Sequence, residues 1–431
     1  MVSCIKGAGV KNRLVDLLAC PRCQHSPLDL TVLASEMDPE SEYLAKHRDK
    51  VRCAQFCAQR NVRLPAAEAS DCVTCYRNEI TEGILRCGGC KAEYPVIGGI
   101  PRFNPDAAND FPEFFARHGG QFRNPDLQDV AHFQSLHEET KRSFGYQWLR
   151  YRVTDVPENE DHFYRRTDTK PGQLEDQLFF EAGCGMGRYI QVVGSNQGAE
   201  VVGLDLSLAT NRARAENRAN PLVHVVQGNI MEMPFRPSSF DHTYSIGVLH
   251  HTPSTYEAFR SMVRLVKPGG RVSLWVYHVW KSPEMTGFRG AHAWLKGKIA
   301  DGLRVVTLRL PMGLLHYLCY IAVPLGWMQI KIYKQPAWVR AVLSPLTLPA
   351  VSPHPEWRIR LLDTFDWYSP RYQWKHTVSE VVGWFRELGL TDIDTEGSEV
   401  SVRGRRPAVG ELSPAEIEQA QPATGAGSVR R

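Results

Sequence analysis

Residues 179–189 read FFEAGCGMGRY: an apolar run, an acid, then Gly183, Gly185 and Gly187 at alternate positions. Glycines in that pattern remove side chains where a strand turns sharply into a helix, so that a ligand can lie against main chain. Dinucleotide, phosphate and adenosyl sites all use such a turn, and the residues beyond it select among them. Strand and helix patterns alternate downstream. AEVVGLDLS (199–207) ends near Asp205, and SLATNRARAENRA (207–219) is helical with Ser207 as its N-cap. LVHVVQGN (222–229) and DHTYSIGV (241–248) read as strands, a helix lies at 254–266, and KPGG (267–270) turns into the strand RVSLWVYH (271–278). This alternation predicts a doubly wound α/β sheet whose ligand crevice lies at the carboxyl ends of the strands.

Asp205 closes the second strand 20 residues after Gly185, where a carboxylate can accept from both hydroxyls of a ribose. The first turn is E-x-G-C-G-x-G rather than G-x-G-x-x-G, and GNIMEMPFRPSSFD (228–241), GVLHHTPS (247–254) and LVKPGG (265–270) come after it in order. With these motifs, residues 177–278 resemble the class I S-adenosylmethionine-dependent methyltransferases of small-molecule type. The resemblance implies a seven-stranded Rossmann-like sheet with S-adenosylmethionine as cofactor. It places Glu181, Gly183, Gly185 and Gly187 at the methionine end of the donor, Asp205 and Leu206 at the ribose, Asn229 and Ile230 at adenine, and Gly247 beside the sulfonium. Most relatives carry Asp where Asn229 stands. The plain structural alternatives are that Asp205 caps the next helix and Asn229 makes a turn.

Between the fifth strand and the helix TVSEVVGWFRELGL (377–390) lie about a hundred residues, far more than an ordinary connection. Thr377 and Glu380 predict a capping box where the domain resumes, and TDIDTEG and EVSVRGRR complete the sheet as the antiparallel pair the resemblance implies. Residues 279–376 are therefore expected to be a helical lid. Its first part, 281–340, carries nine Lys or Arg against Glu284 and Asp301, and contains the uncharged run MGLLHYLCYIAVPLGWMQI. Basic residues around an apolar helix point to membrane-surface contact or a lipid-like substrate; a buried lid helix is the alternative, and Pro324, Gly326, His316 and Gln329 count against a span. Its second part, LLDTFDWYSPRYQWKH (361–376), supplies Asp366 and His376, which join His251 as candidate catalytic bases. Tyr368 and Tyr372, with Tyr146 and Trp148 of SFGYQWLRY (143–151), are the candidate substrate contacts; core packing is the alternative for each.

Nine of the eleven cysteines lie before residue 91, and eight form close pairs: Cys20 with Cys23, Cys53 with Cys57, Cys72 with Cys75, Cys87 with Cys90. No export signal is legible, so the protein reads as cytoplasmic, where paired thiols are metal ligands rather than disulfides. Four thiolates suit tetrahedral zinc in a closed structural site. The knuckle at Cys87 and Cys90 is followed by Tyr94, Pro95, Val96, Gly99, Ile100 and Pro101. This half resembles the small zinc-ribbon proteins that partner tRNA and release-factor methyltransferases. Cys20, Cys23, Cys87 and Cys90 are the first expected zinc site; Cys53, Cys57, Cys72 and Cys75, in an insertion at 31–80, are the expected ligands of a second.

The domain plan is thus a zinc ribbon at 1–104, a connector and helical cap at 105–175, the methyltransferase domain at 176–405, and a disordered tail at 406–431. A formal charge of +4 over 431 residues makes no global case for nucleic acid. The expected function is methyl transfer from S-adenosylmethionine to O, N or C of a small, sugar- or lipid-linked metabolite, with membrane-peripheral placement through 281–340. The alternatives are a tRNA or rRNA methyltransferase that docks through its zinc module, and a non-catalytic scaffold. The sequence leaves oligomeric state open.

Overall fold

The computed structural model describes residues 9–37, 53–64, 72–123, 130–151, 156–196, 198–279, 285–397, 399–408 and 410–411. The expected disorder of the tail beyond 411 lies outside the described residues.

The N-terminal module is a four-stranded antiparallel sheet of β1 (Leu28–Met37), β2 (Asn78–Cys87), β3 (Glu93–Ile97) and β4 (Ile100–Pro101), preceded by α1 (Asn12–Leu17). The main sheet has seven strands: β5 (Leu178–Ala182), β6 (Glu200–Asp205), β7 (Val223–Gln227), β8 (Phe240–Ile246), β9 (Val266–Val276), β10 (Thr391–Thr395) and β11 (Val400–Arg405). Their order is β10-β11-β9-β8-β5-β6-β7, with β5 to β9 parallel and β11 antiparallel to both neighbours. The chain reverses the direction in which it adds strands between β5 and β8, and there the carboxyl ends splay to open a crevice. β5, β6 and β7 are buried along their whole length, as expected of strands covered on both faces.

Helices α2 (Val130–Arg150) and α3 (Val156–Thr167) precede the sheet; α4 (Arg188–Gly194), α5 (Ala209–Glu216) and α6 (Thr255–Val263) connect its strands. Ser254 caps α6 by accepting from the Glu257 amide. The lid contributes α7 (Gly287–Thr307), α8 (Met312–Cys319), α9 (Ala322–Tyr333) and α10 (Trp357–Tyr368) before α11 (Val378–Glu387) rejoins the sheet domain. The capping box expected at the start of α11 is present: Thr377 Oγ1 accepts from the Glu380 amide at 3.2 Å, and Glu380 Oε2 accepts from the Thr377 amide.

One apolar core runs from the small module into the main sheet. Leu14, Leu18, Ile80 and Tyr94 belong to the same buried cluster as Phe180, Phe235 and Phe240. Main-chain bridges pin the junction at Leu18 with Phe235 and at Arg102 with Gln227. Arg102, 1% exposed, crosses it and donates to Thr210 Oγ1, Gln227 Oε1, Asn211 Oδ1 and the Ile97 carbonyl. Asn104, two residues on, holds the Leu206 carbonyl at 2.8 Å. The segment leaving the ribbon therefore ends as a strut beneath the ligand crevice.

Candidate active site

A cavity of about 480 Å³ lies above the carboxyl ends of β5, β6 and β8 and is walled by α2, α3 and α10. At one end is the glycine turn. Gly183 has φ +86°, and a Cβ there would sit 2.3 Å from Val248 Cγ1, so the position admits only glycine. A Cβ on Gly185 would crowd the Trp148 indole at 3.1 Å, which brings α2 directly over the turn. Glu181 is 1% exposed; burial pushes its carboxyl up to about 8, although Tyr244 donates to Oε2 at 3.2 Å.

Asp205 lines the cavity and does not cap the helix that follows; it makes a turn ahead of it. Its Oδ1 accepts from the Ser207 amide and hydroxyl at 2.8 and 2.7 Å, and its Oδ2 accepts from the Gly185 amide at 2.9 Å. One carboxylate thus ties the first turn to the end of the second strand, with lone pairs left over for a ligand. The helix it precedes starts at Ala209, and Ser207 Oγ accepts from the Ala209 amide, so Ser207 stands one residue earlier than an N-cap. Asn229 likewise makes its turn, accepting from the Met231 amide at 3.0 Å, while its Nδ2 meets His137 Nε2 at 3.2 Å. Leu206, Asn229, Ile230 and Gly247 all line the cavity. Gly187 does not: with φ +91° it starts α4, and its missing Cβ makes room for Ala213 of α5 and for Asn217 just beyond that helix. That close packing is itself a reason for glycine here.

The other end is polar. His251 Nδ1–H donates to the Tyr372 carbonyl at 2.9 Å, which leaves Nε2 facing Asp366 Oδ2 at 3.6 Å. Tyr277 donates to Asp366 Oδ2, and Gln147 donates to Oδ1 at 3.2 Å. Burial alone would raise Asp366, but His251, Tyr277 and Gln147 hold it below its ordinary value. The arrangement keeps a carboxylate ionised behind an imidazole. Neighbouring His250 is buried, stacks on Tyr277 at 3.9 Å, and is held far below the usual histidine range by burial.

Four expected site residues lie elsewhere. His376 is bonded to Glu380 and to Thr255 Oγ1, each at 3.0 Å, and its main chain bridges to His278; it fastens the end of the lid to the sheet domain. Tyr368 donates to the Ala350 carbonyl inside the lid, Tyr146 stacks on Phe365, and Tyr372 serves through its carbonyl. Aromatic packing took Tyr146 and Tyr368, as lid and α2 share one apolar cluster. Of the four candidate substrate contacts only Trp148 lines the cavity. Sequence reasoning missed α3, whose Asn159, His162 and Arg166 recur at helical spacing and form one cavity-facing stripe. That periodicity was the available signal. Asp363, among the polar residues of the lid's second part, also lines the cavity, and burial raises it to about 6 despite the Ser352 hydroxyl.

In the ribbon, Cys20, Cys23, Cys87 and Cys90 bring their sulfurs within 4.8 Å of one another. Cys20 Sγ lies 3.5 Å from Cys90 Sγ and Cys23 Sγ 3.4 Å from Cys87 Sγ, close to the ~3.8 Å edge of a tetrahedron with 2.3 Å metal–sulfur bonds. The Cys90 amide points at Cys87 Sγ, as a knuckle requires. Among the described residues, Cys53, Cys57, Cys72 and Cys75 form no such cluster. Cys53 and Cys75 are close enough to act on each other electrostatically, and burial pushes both thiols up to about 12. The four nevertheless lie within electrostatic reach, Cys53 of Cys57 and Cys75, and Cys75 of Cys57 and Cys72; the insertion that carries them is docked through Asp16, which accepts from the amides of Ala54, Gln55 and Phe56.

A doubly wound sheet closed by an antiparallel pair, with a glycine turn and a strand-ending acid at its crevice, defines the class I S-adenosylmethionine-dependent methyltransferases. This chain is that fold fused to a Trm112p-like module: residues 180–274 match the family described as Methyltransferase domain, and residues 11–99 the family described as Trm112p-like protein. The 24-methylenesterol C-methyltransferase 2 of Arabidopsis thaliana is 36% identical over 119 residues, 27% of this chain and 31% of that protein. Demethylmenaquinone methyltransferase of Bacillus mycoides (strain KBAB4) is 29% identical over 182 residues, 41% of this chain and 64% of that protein. The chain spans less than two thirds of the length of these relatives. Among solved structures, a complex containing the Haloferax volcanii Trm112 methyltransferase activator is 14% identical with a TM-score of 0.33, covering 61% of this chain and 97% of that one.

Proposed function

We propose that this protein methylates a nucleophilic atom of a small, largely apolar acceptor, with S-adenosylmethionine as donor and His251 as proton acceptor. The observation that carries the reading is one continuous cavity with the glycine turn at one end and the His251–Asp366 pair at the other. When bound, S-adenosylmethionine supplies an electrophilic methyl group. Glu181 would face its amino group, Asp205 and Leu206 its ribose, Asn229 and Ile230 its adenine, and Gly247 would flank the sulfonium. His251, with Nδ1–H committed to the Tyr372 carbonyl, would take on Nε2, 3.6 Å from Asp366 Oδ2, the proton that the acceptor loses on forming its new bond to carbon. Asp366 then balances the imidazolium. Since the methyl donor is already activated, alignment and exclusion of water are the main tasks of the lid. Sterol and quinone methyltransferases among the relatives support an apolar, lipid-like acceptor. The four-cysteine site would hold zinc as a structural ion, remote from this chemistry.

The test is titration calorimetry with S-adenosylmethionine on wild type, Asp205→Ala and His251→Ala, followed by turnover on a cellular lipid extract with labelled donor. Donor heat is expected from wild type and His251→Ala and not from Asp205→Ala. His251→Ala should retain about 1% of turnover or less, in keeping with loss of general-base catalysis. Absence of donor heat from the wild type would end the proposal.

A further inference from the structure

We infer that the outer face of α7, α8 and α9 is a docking surface for an anionic phospholipid bilayer. Most of the exposed large apolar side chains among the described residues lie between 285 and 346. Trp338 is 73% exposed, Tyr317 64% and Phe288 62%, with Trp294, Ile321 and Trp327 also open to solvent. Exposed apolar side chains concentrated in one segment in this way mark a contact site. Its charge selects the partner: residues 285–346 carry eight Lys or Arg, all but the buried, inward-bonded Arg304 available to this face, and a single acid, Asp301. Anionic headgroups complement that imbalance, whereas a second copy of the same face would oppose cation to cation. Tryptophan and tyrosine are the side chains suited to interfacial depth, with an apolar ring and a polar handle.

The helices lie along the surface rather than through the bilayer. Met312–Tyr333 is long and apolar enough to cross a membrane, but α8 and α9 are separate helices and their inner face is tied to the protein by polar bonds. Arg150 donates to His316 Nε2 at 3.1 Å, which leaves Nδ1–H for the Tyr151 hydroxyl at 2.6 Å. Gln329 donates to the Pro349 carbonyl at 2.9 Å. Gly326 lets Arg360 and the Ser352 carbonyl approach within 2.4–2.5 Å of where a Cβ would stand. A spanning helix would strand these groups in hydrocarbon. Beneath α8 and α9 lies α10, which carries Ile359, Leu362 and Asp366 to the cavity. Docking would therefore set the acceptor end of the cavity beside the bilayer; that use of the surface rests on the methyl-transfer reading, while the docking does not.

The full chain should float with vesicles of phosphatidylcholine and phosphatidylglycerol, and roughly tenfold less with phosphatidylcholine alone or at high salt. Trp327→Glu with Trp338→Glu should abolish flotation, and Lys331→Glu with Lys334→Glu should reduce it several-fold, both with unchanged S-adenosylmethionine heat and melting temperature. Failure to float with phosphatidylglycerol overturns the inference, as does flotation that ignores both double variants. A dimer in light scattering that Trp327→Glu dissociates, without vesicle binding, assigns the face to a second copy instead. Flotation by a protein that gives no donor heat leaves the docking standing and removes the methyl-transfer reading.

Discussion

At the β7 edge of the main sheet, the Trm112p-like module meets it through a continuous apolar core, with the charged groups at the seam buried and partnered. Glu79 faces Lys11 and Arg214, Glu200 faces Arg13 and His224, and Asp16 faces Arg13 and Arg236. On the lid, aromatic and aliphatic side chains stand open to water over a face whose charges are nearly all of one sign. Both regions add apolar surface to the same α/β domain. The difference teaches that the ribbon is part of the folding unit, since exposing that seam would uncover core residues and paired buried charges together, whereas the lid's outer face contributes little to folding.

The largest effect expected from that contrast comes from loss of the zinc proposed for the four-cysteine site. Structural zinc bound by cysteines is worth on the order of 10 kcal/mol, comparable to the whole stability of a domain. Cys87→Ser, or a strong chelator acting on wild type, should therefore unfold both modules in a single transition, because the ribbon shares its core with Phe180 and Phe235. Calorimetry that shows two transitions, with the methyltransferase one unmoved, would break the comparison.

Next in size is Asp16→Ala. The Asp16 side chain is fully buried, pairs with Arg13 at 2.7 Å and Arg236 at 3.5 Å, and accepts from three amides of the cysteine insertion. Its loss takes a buried carboxylate from two guanidinium groups, leaving Arg13 with Glu200 and Arg236 with the residue 16 carbonyl, and should cost about 3–5 kcal/mol in denaturant melts. Asp301→Ala, on the exposed lid, should cost nothing measurable by the same assay.

A smaller effect is expected at Glu181, and it depends on pH. Burial raises its carboxyl from 4.5 to about 8, so between those values the folded protein holds a proton that the unfolded chain has released. Stability in the absence of ligand must then fall as pH rises through that window, by about 1–3 kcal/mol once relaxation of the site is allowed for. Glu181→Gln should flatten the wild-type slope in melts from pH 5 to pH 9. Under the proposed role, donor affinity should instead rise with pH in wild type, as the ionised carboxylate meets the ammonium group. A wild-type slope identical to that of Glu181→Gln would place the proton elsewhere.

The parts of this molecule that are legible in its sequence are those where backbone or ligand chemistry restricts neighbouring residues to few types. The turn at Gly183 and Gly185, the acid at Asp205, the box at Thr377 and Glu380, and the knuckles at Cys20 and Cys87 all act over a few consecutive positions. Their geometry obeys local rules. The lid's polar aromatics are not legible in that way, since a tyrosine satisfies its hydroxyl as readily in a core, where Tyr368 found the Ala350 carbonyl, as in a cavity. His376 and His251 look alike in one dimension; only the arrival of Asp366 and Tyr277 from distant segments separates a fastening histidine from a cavity one. The second set of cysteines has suitable spacing and comes within electrostatic reach, but spacing within pairs does not determine how tightly two pairs converge. At Gly187 the structure adds a reason the motif does not carry, the close approach of Ala213.

The smallest effect expected is also the sharpest test of the contrast. Tyr317→Ser and Ile321→Ser remove large apolar side chains that are mostly exposed, so little apolar burial is lost and no cavity opens. Each should change stability by less than about 0.5 kcal/mol, the range of ordinary surface substitutions, although the same change at Phe235 in the ribbon junction would cost several times that. Thermal melts in detergent-free buffer decide the matter. A drop of about 2 kcal/mol from Ile321→Ser would mean that the face is covered in solution, by a second copy or by the lid's own rearrangement, and the distinction between the closed seam and the open face would vanish.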